Sequence, residues 1–358
     1  GSFGMAVSTA MIFGLVSLMF LDTSINMAMQ PFKMMVGDMV NEKQKGLAYS
    51  IQSFLCNAGS LVGFLFPFIF TWIGISNIAP QGVVPDSVIY SFYIGAAILI
   101  LCVIYTTVKV KEMPPAEYAE YHGITEEEKK EKINMVKLLV KAPKAFWTVG
   151  LVQFFCWFAF MFMWTYTNGS VAANVFDAPT VETVVNGANK VVLDTKSIQY
   201  QNAADWVGVL FAVQAIGSVL WAVCIPMFKN RKLIYSLSLV LGGIGFISTY
   251  FVHNQYVLFI SFLLIGCAWA AMLALPFTIL TNALSGGHMG TYLGLFNGTI
   301  CIPQIVAATL GGSILALFTP KGMLPPEINM LVMAGVMLII GAVCVYLIKE
   351  TKGEQAKT

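Results

Sequence analysis

The chain has 358 residues, 58% hydrophobic and 11% charged, with mean hydropathy +0.77 and a formal net charge of +2. A soluble domain carries about a quarter charged residues, so this composition excludes the water-soluble globular classes. A balance of +2, with the lysines clustered by loop, carries no signal for nucleic acid, and no nucleic-acid partner is expected.

Apolar stretches long enough to cross a hydrocarbon core of about 30 Å as helices recur throughout. Nine spans are expected, at roughly 5–32, 46–74, 88–108, 145–169, 205–228, 233–252, 256–283, 290–318 and 330–348. The fold class is therefore an all-α polytopic protein whose first partner is the lipid bilayer. Every Lys and Arg except Lys190, Lys196 and Lys321 falls on segments 33–45, 109–144, 229–232 and the tail from Lys349, which alternate with the spans as one side. By the positive-inside rule that side is cytoplasmic, and so is the C-terminus of a multi-pass cell (inner) membrane protein. The first span then starts outside with no initiator Met or signal peptide, so the chain is expected to lack its natural N-terminal part.

In the first span Asp22 is the only one of the 18 acidic residues deep inside a membrane stretch. An ionised carboxylate there costs about 2.5–3.5 kcal/mol on insertion scales. Facing a hydrated interior, or binding a proton or cation, offsets that cost. Asn26 and Gln30 continue a polar stripe at i+4 and i+8. The other reading is that Asp22 hydrogen-bonds a neighbouring helix.

Gln52 and Asn57 lie at membrane depth in the second span. The segment 109–144 changes composition, and Thr125 with Glu128 has capping-box spacing ahead of Ile133, Val136, Leu138 and Leu139. It is expected to hold an amphipathic helix along the cytoplasmic face and to tether two bundles, 1–108 and 145–358.

In span 145–169, Gln153, Trp157, Trp164 and Asn168 fall near one face. Aromatic faces beside amides suit a sugar ring, because such pockets are mostly apolar with a few placed polar groups. Tryptophan near a span end is also a common interface anchor, and Trp157 reads equally as packing. The polar segment 170–202 is a partial lid or a solvated connection. Gln214, Asn297 and Gln304 add amides at depth, either as interhelical glue or as the lining of a hydrated cavity. Gly59 and Gly63, and Gly290, Gly294 and Gly298, form small-residue ridges expected to let helices approach closely. Pro31, Pro67, Pro226, Pro276 and Pro303 interrupt spans as kinks or gates. The seven cysteines are scattered without a CxxC pair and read as small buried hydrophobes, with neither metal nor other cofactor implied. Phosphate-loop, HExxH and Gly-x-Ser-x-Gly patterns are missing, so no enzyme chemistry is expected.

LDTSINMAMQPFKMMVGDM resembles the fourth span of the glycoside–cation symporters of the major facilitator superfamily, the group of plant sucrose, melibiose and bacterial maltose/sucrose-type carriers. Asp22, Asn26, Pro31, Lys33 and Asp38 stand where that pattern has Asp, Asn, Pro, a basic residue and a second Asp. GLAYSIQSFLCNAGSLVG is similar to the fifth span, VVPDSVIYSFYIGAA to the lead into the sixth and QFFCWFAFMFMWTYT to the seventh of the bacterial members. CAWAAMLALPFTILTNAL and GTYLGLFNGTICIPQIVAATLGG resemble the tenth and eleventh. The resemblance implies a major facilitator fold with about nine of its twelve helices here, the first three being absent, and no transport by this stretch alone. It implies a monomeric symporter of a glycoside, such as maltose or sucrose, with H⁺ or Na⁺. Asp22 would take the cation, the amide and tryptophan residues would hold the sugar, and Lys33 and Asp38 would gate. Lys33 stands where Arg is usual, so bidentate contacts there are lost. The late seventh span, TYTNG, lacks the acidic residue of plant members. A non-transporting membrane sugar receptor or scaffold of the same fold is the alternative.

Overall fold

A computed structural model describes residues 2–75, 86–111, 114, 117, 120, 135–185, 188–284 and 289–348. Its elements are α1 (Ser2–Met39), α2 (Glu42–Trp72), α3 (Asp86–Lys109), the short α4 (Met135–Lys141) and α5 (Lys144–Asn174). Then come β1 (Thr180–Val185), β2 (Ala188–Leu193), α6 (Ile198–Cys224), α7 (Arg231–Ser248), α8 (Leu258–Ala283), α9 (Met289–Phe296), α10 (Gly298–Phe318) and α11 (Ile328–Cys344). Each expected span falls on a long helix, the eighth being α9 and α10 joined at Asn297. Among the described residues, eight helices are long and apolar enough to cross a membrane. The chain is an all-α polytopic protein.

The helix ends follow local chemistry. Ser197 accepts from Tyr200 N at the start of α6, and Asn230 accepts from Leu233 N at the start of α7, each satisfying one of the N–H groups a helix start leaves unpaired. Pro226 does not kink a span; it sits in the 3-10 turn Ile225–Met227 that ends α6. Pro31, Pro276 and Pro303 do lie inside helices.

Packing centres on α8, which lies against α2, α5, α6 and α7, while α11 closes against α5 and α7. Close approach of helix backbones occurs at glycines other than the expected ridges, of which Gly290 alone faces another helix, a Cβ there meeting the Met34 Cε of α1 at 2.5 Å. A Cβ on Gly266 of α8 would meet Ser218 N at 2.7 Å and Gly217 C at 3.0 Å, both backbone atoms of α6. Gly243 of α7 and Gly335 of α11 face each other's carbonyls in the same way. Gly59, Gly63 and Gly294 have no neighbour within 4 Å, and Gly298 meets only Ile302. The small-residue rule is right about mechanism, but it needs a partner helix opposite, which four-residue spacing alone does not supply.

Two further expectations change. The segment 170–202 is more than a plain connection: α5 continues to Asn174, and β1 pairs antiparallel with β2, Thr180 opposite Leu193 through Val185 opposite Ala188. The alternating run TVETVV-NG-ANKVVL carries that signal, two β-branched stretches around Asn-Gly. The cysteines are not uniformly buried. Cys156 and Cys267 are, whereas Cys56, Cys102 and Cys301 are exposed on helix surfaces. The expected cytoplasmic amphipathic helix falls mostly outside the described residues; Met135–Lys141, at its end, forms α4.

Candidate functional site

The expected site residues separate into three places. The first is the upper stretch of α1. There Asn26 Nδ2 donates to the Asp22 carbonyl at 2.9 Å, and Thr23 and Ser24 donate to the carbonyls of Met19 and Phe20 at 2.7 Å. These polar groups are satisfied by their own helix. Asp22 is exposed, as are Phe13, Met19 and Phe20 around it. The side chains of Gln30 and Asp38 lie outside the described residues.

The second place is where the end of α1 meets other helices. Lys33 lies 11 residues beyond Asp22, about 16 Å along the axis. Its Nζ sits 4.6 Å from the ring centroid of Phe277 on α8, with Cys56 of α2 and Cys301 of α10 within electrostatic reach. Tyr49 donates to the Lys33 carbonyl at 3.3 Å and Gln52 to that of Phe32 at 3.4 Å, which ties α2 to α1. An aromatic ladder runs on from there: Tyr49 to Phe277 at 6.1 Å, Phe277 to Phe296 at 5.9 Å and Phe296 to Phe146 at 5.7 Å. A cation over an aromatic face is attracted by the ring quadrupole, more strongly where water is excluded. Asn297, at the α9–α10 break, makes only a long contact to Cys301 Sγ at 3.8 Å, and its Oδ1 is buried with no partner among the described residues.

The third place lies one turn further along α2. Ser53 Oγ donates to the Ala270 carbonyl of α8 at 3.3 Å, and Asn57 Nδ2 donates to the Ser53 carbonyl at 2.7 Å. Across α8, Gln153 Nε2 of α5 donates to the Met272 carbonyl at 2.9 Å. Pro276 explains that bond. It stands four residues after Met272 and has no N–H, so the Met272 carbonyl loses its helical donor and a side chain from α5 supplies one. Gln153 is thus held rigidly with its acceptor end turned away from that bond.

Three polar atoms flanking α8 are buried without a partner among the described residues: Gln153 Oε1 and Trp157 Nε1, one turn apart on α5, and Asn57 Oδ1 of α2 across α8 from them. Leaving such an atom unpaired costs about 1–3 kcal/mol, so each calls for a polar partner, an ordered water or a bound molecule. Trp157 belongs to a tryptophan triangle. Trp157 and Trp164 are 6.4 Å apart, and each is 5.7 Å from Trp269 of α8 in an edge-on arrangement. Phe160 backs Trp269 at 4.9 Å. Trp164 is 42% exposed, so the triangle is open on one side.

Trp269 and Ser53 escaped the sequence reading. The signal for Trp269 was there: CAWAAM puts a tryptophan at the same depth as Trp157 among small residues. Ser53 had none, because serine in a span usually bonds its own helix. Asn168 stands apart, 15 residues from Gln153 and so about 22 Å along α5, where its Nδ2 donates to Tyr200 Oη at 2.9 Å. Gln214 is buried between α6 and α8 with Nε2 unpartnered among the described residues, and Gln304 is half-buried on α10.

The family model of the Major Facilitator Superfamily matches residues 1–186 and again 178–358. Among solved structures, a variant of the E. coli fucose:proton symporter FucP superposes with a TM-score of 0.54 at 16% identity, covering 87% of this chain and 71% of that one, a likeness of fold. No curated protein matches the chain in sequence. With both halves matched, in an all-α arrangement of membrane-length helices, the chain belongs to the major facilitator superfamily.

Proposed function

We propose that the chain is the membrane body of a secondary transporter that couples entry of a glycoside, a disaccharide such as maltose or sucrose, to a proton or cation by alternating access. The observation that carries this reading is the third place above. The Gln153 amide oxygen and the Trp157 indole N–H stand unpaired among the described residues, one turn apart on α5, beside a tryptophan triangle open on one side, with a second bare amide oxygen, that of Asn57, across α8. A sugar offers hydroxyls to such acceptors and donors and C–H faces to such rings. The likeness in fold to a fucose:proton symporter agrees with it.

In this reading Asn57, Gln153, Trp157, Trp164 and Trp269 hold the sugar, and Asn26, Gln30, Gln52, Asn168, Gln214, Asn297 and Gln304 line its path. The contact of Lys33 with Phe277, near Cys301, joins α1 to the later helices and opens and closes with the access change; Asp38 completes that gate. Asp22 is the coupling acid, an assignment that rests on the resemblance of its span. Rocking about a midplane site between helix groups is how this type of fold moves solute.

The test is uptake by the full-length carrier in sealed vesicles across a panel of mono- and disaccharides, with pH and Na⁺ gradients imposed separately. Disaccharide accumulation driven by one of the gradients is expected. Asp22→Asn should abolish accumulation while leaving sugar–sugar counterflow, because exchange needs the pocket and not the gradient. Accumulation by that variant at the wild-type level removes Asp22 from coupling; binding without counterflow in the wild type turns the protein into a receptor.

A further inference from the structure

One acid group lies outside all of this. Glu327 precedes α11 in the segment 319–327, at the end of α5 opposite Lys144. Its carboxyl is seated against Gly169 of α5. A Cβ on Gly169 would fall on Glu327 Oε2 and Cδ and lie 2.8 Å from Oε1, so the seat exists only because residue 169 has no side chain. Tyr166, one turn earlier on α5, senses the Glu327 charge, and its hydroxyl lies against Gly311 of α10. The carboxyl thus stands where α5, α10 and α11 meet.

Among the described residues no Lys or Arg is placed to balance it; a titratable ring on a neighbouring segment, His253, has its Nδ1 3.3 Å from the Asn174 carbonyl, five residues or about 7.5 Å along α5 from Gly169. The charged residue of α5 is Lys144, 25 residues away and about 37 Å along the helix. The helices α10 and α11 carry no charged residue, and their titratable Cys301 and Cys344 lie at least ten residues from the seat. Lys321 of the same segment is exposed. Among the described residues no hydrogen-bond donor reaches the carboxyl either. Desolvation without compensation disfavours the charged form, and burial raises Glu327 from the ordinary 4.5 to about 7.

We propose that Glu327 is a proton-binding site: protonated, its carboxyl occupies the Gly169 seat and fastens the start of α11 to α5; ionised, it withdraws into water and the fastening is released. The sign follows. A carboxyl whose folded-state value is raised adds stability that is complete below its ordinary value and is lost as pH rises through the folded one. The fastening is therefore an acid-side device, engaged when proton is plentiful. It does not depend on which solute is carried, or on Asp22.

Infrared spectra of the full chain in lipid, taken along a pH series, test it. The carboxylic C=O stretch of one group should disappear with a midpoint near 7 and be missing in Glu327→Gln. In Gly169→Ala the methyl evicts the carboxyl, and the midpoint should fall toward the ordinary carboxylate value. Amide exchange at residues 168–172, corrected for intrinsic rate, should rise through the same midpoint in the wild type and not in Glu327→Gln. A wild type with no carboxyl titrating near 7, or a titration untouched by Glu327→Gln or by Gly169→Ala, overturns the inference. Should Gly169→Ala fail to fold, the wild type and Glu327→Gln still decide it.

Discussion

Helices α3 and α8 are equally apolar, each with mean hydropathy 2.4 over its best window, yet 6% of that window is buried in α3 and 67% in α8. Hydropathy therefore says that both cross the membrane and nothing about what they touch. In lipid the tails are as apolar as leucine, so burial of one helix against another is driven by fit and by polar bonds. The helix α8 has the means for both. Gly266, Cys267, Ala268, Ala270, Ala271 and Ala274 let neighbours come close, and two of its carbonyls accept from Ser53 and Gln153. The helix α3 presents Tyr93, Ile98, Ile100, Leu101 and Tyr105, all exposed, and its Gly95 has no neighbour within 4 Å.

The sharpest way to break this contrast is a matched pair of glycine substitutions. Gly266→Ala drives a methyl into the backbone of α6 and should cost about 3 kcal/mol, whereas Gly95→Ala should be neutral or stabilise by up to about 1 kcal/mol. Thermal unfolding in detergent measures both, and equal shifts would end the distinction. Next in size, Trp269→Ala removes three edge-on or tilted ring pairs, each worth about 0.5–1.5 kcal/mol. Sugar uptake should fall about tenfold or more, while Tyr105→Ala on α3 leaves it unchanged.

A smaller effect sharpens the role of Pro276. Gln153→Met should destabilise by about 1–3 kcal/mol by stranding the Met272 carbonyl. Pro276→Ala restores an N–H to that carbonyl, so the double variant should recover part of the loss, a coupling a double-mutant cycle reads directly. Strictly additive effects would mean the two residues do not share that carbonyl. Smallest is Lys33→Met, which removes a cation from the Phe277 face at about 0.5–2 kcal/mol. It should raise labelling of Cys56 and Cys301 by a membrane-permeant thiol reagent, because the end of α1 loosens; unchanged labelling would place the hold on α1 elsewhere.

Parts of the candidate site were legible before any coordinates. Gln153, Trp157 and Trp164 stand on one face at helical spacing, and the structure joins Trp157 and Trp164 in one cluster with Gln153 close by. Asn168 continues the same stripe one turn beyond Trp164 but is bonded there to Tyr200 and lies far from Gln153, since a stripe says which way residues point and not how far apart along the axis they work. Trp269, Ser53 and the seat of Glu327 depend on what stands across from them, and a single helix carries no record of that.

By itself the amino-acid order determined that the chain is a series of long apolar helices, and their approximate ends. Transfer into lipid is a sum over local residues, so a local string suffices to compute it. Which amide ends up bonded and which is left with a bare oxygen was decided only in three dimensions. Pro276 frees a carbonyl wherever it occurs, but a glutamine from α5 must be standing opposite to take it. Among helices of equal apolarity, only the meeting of particular surfaces makes that choice.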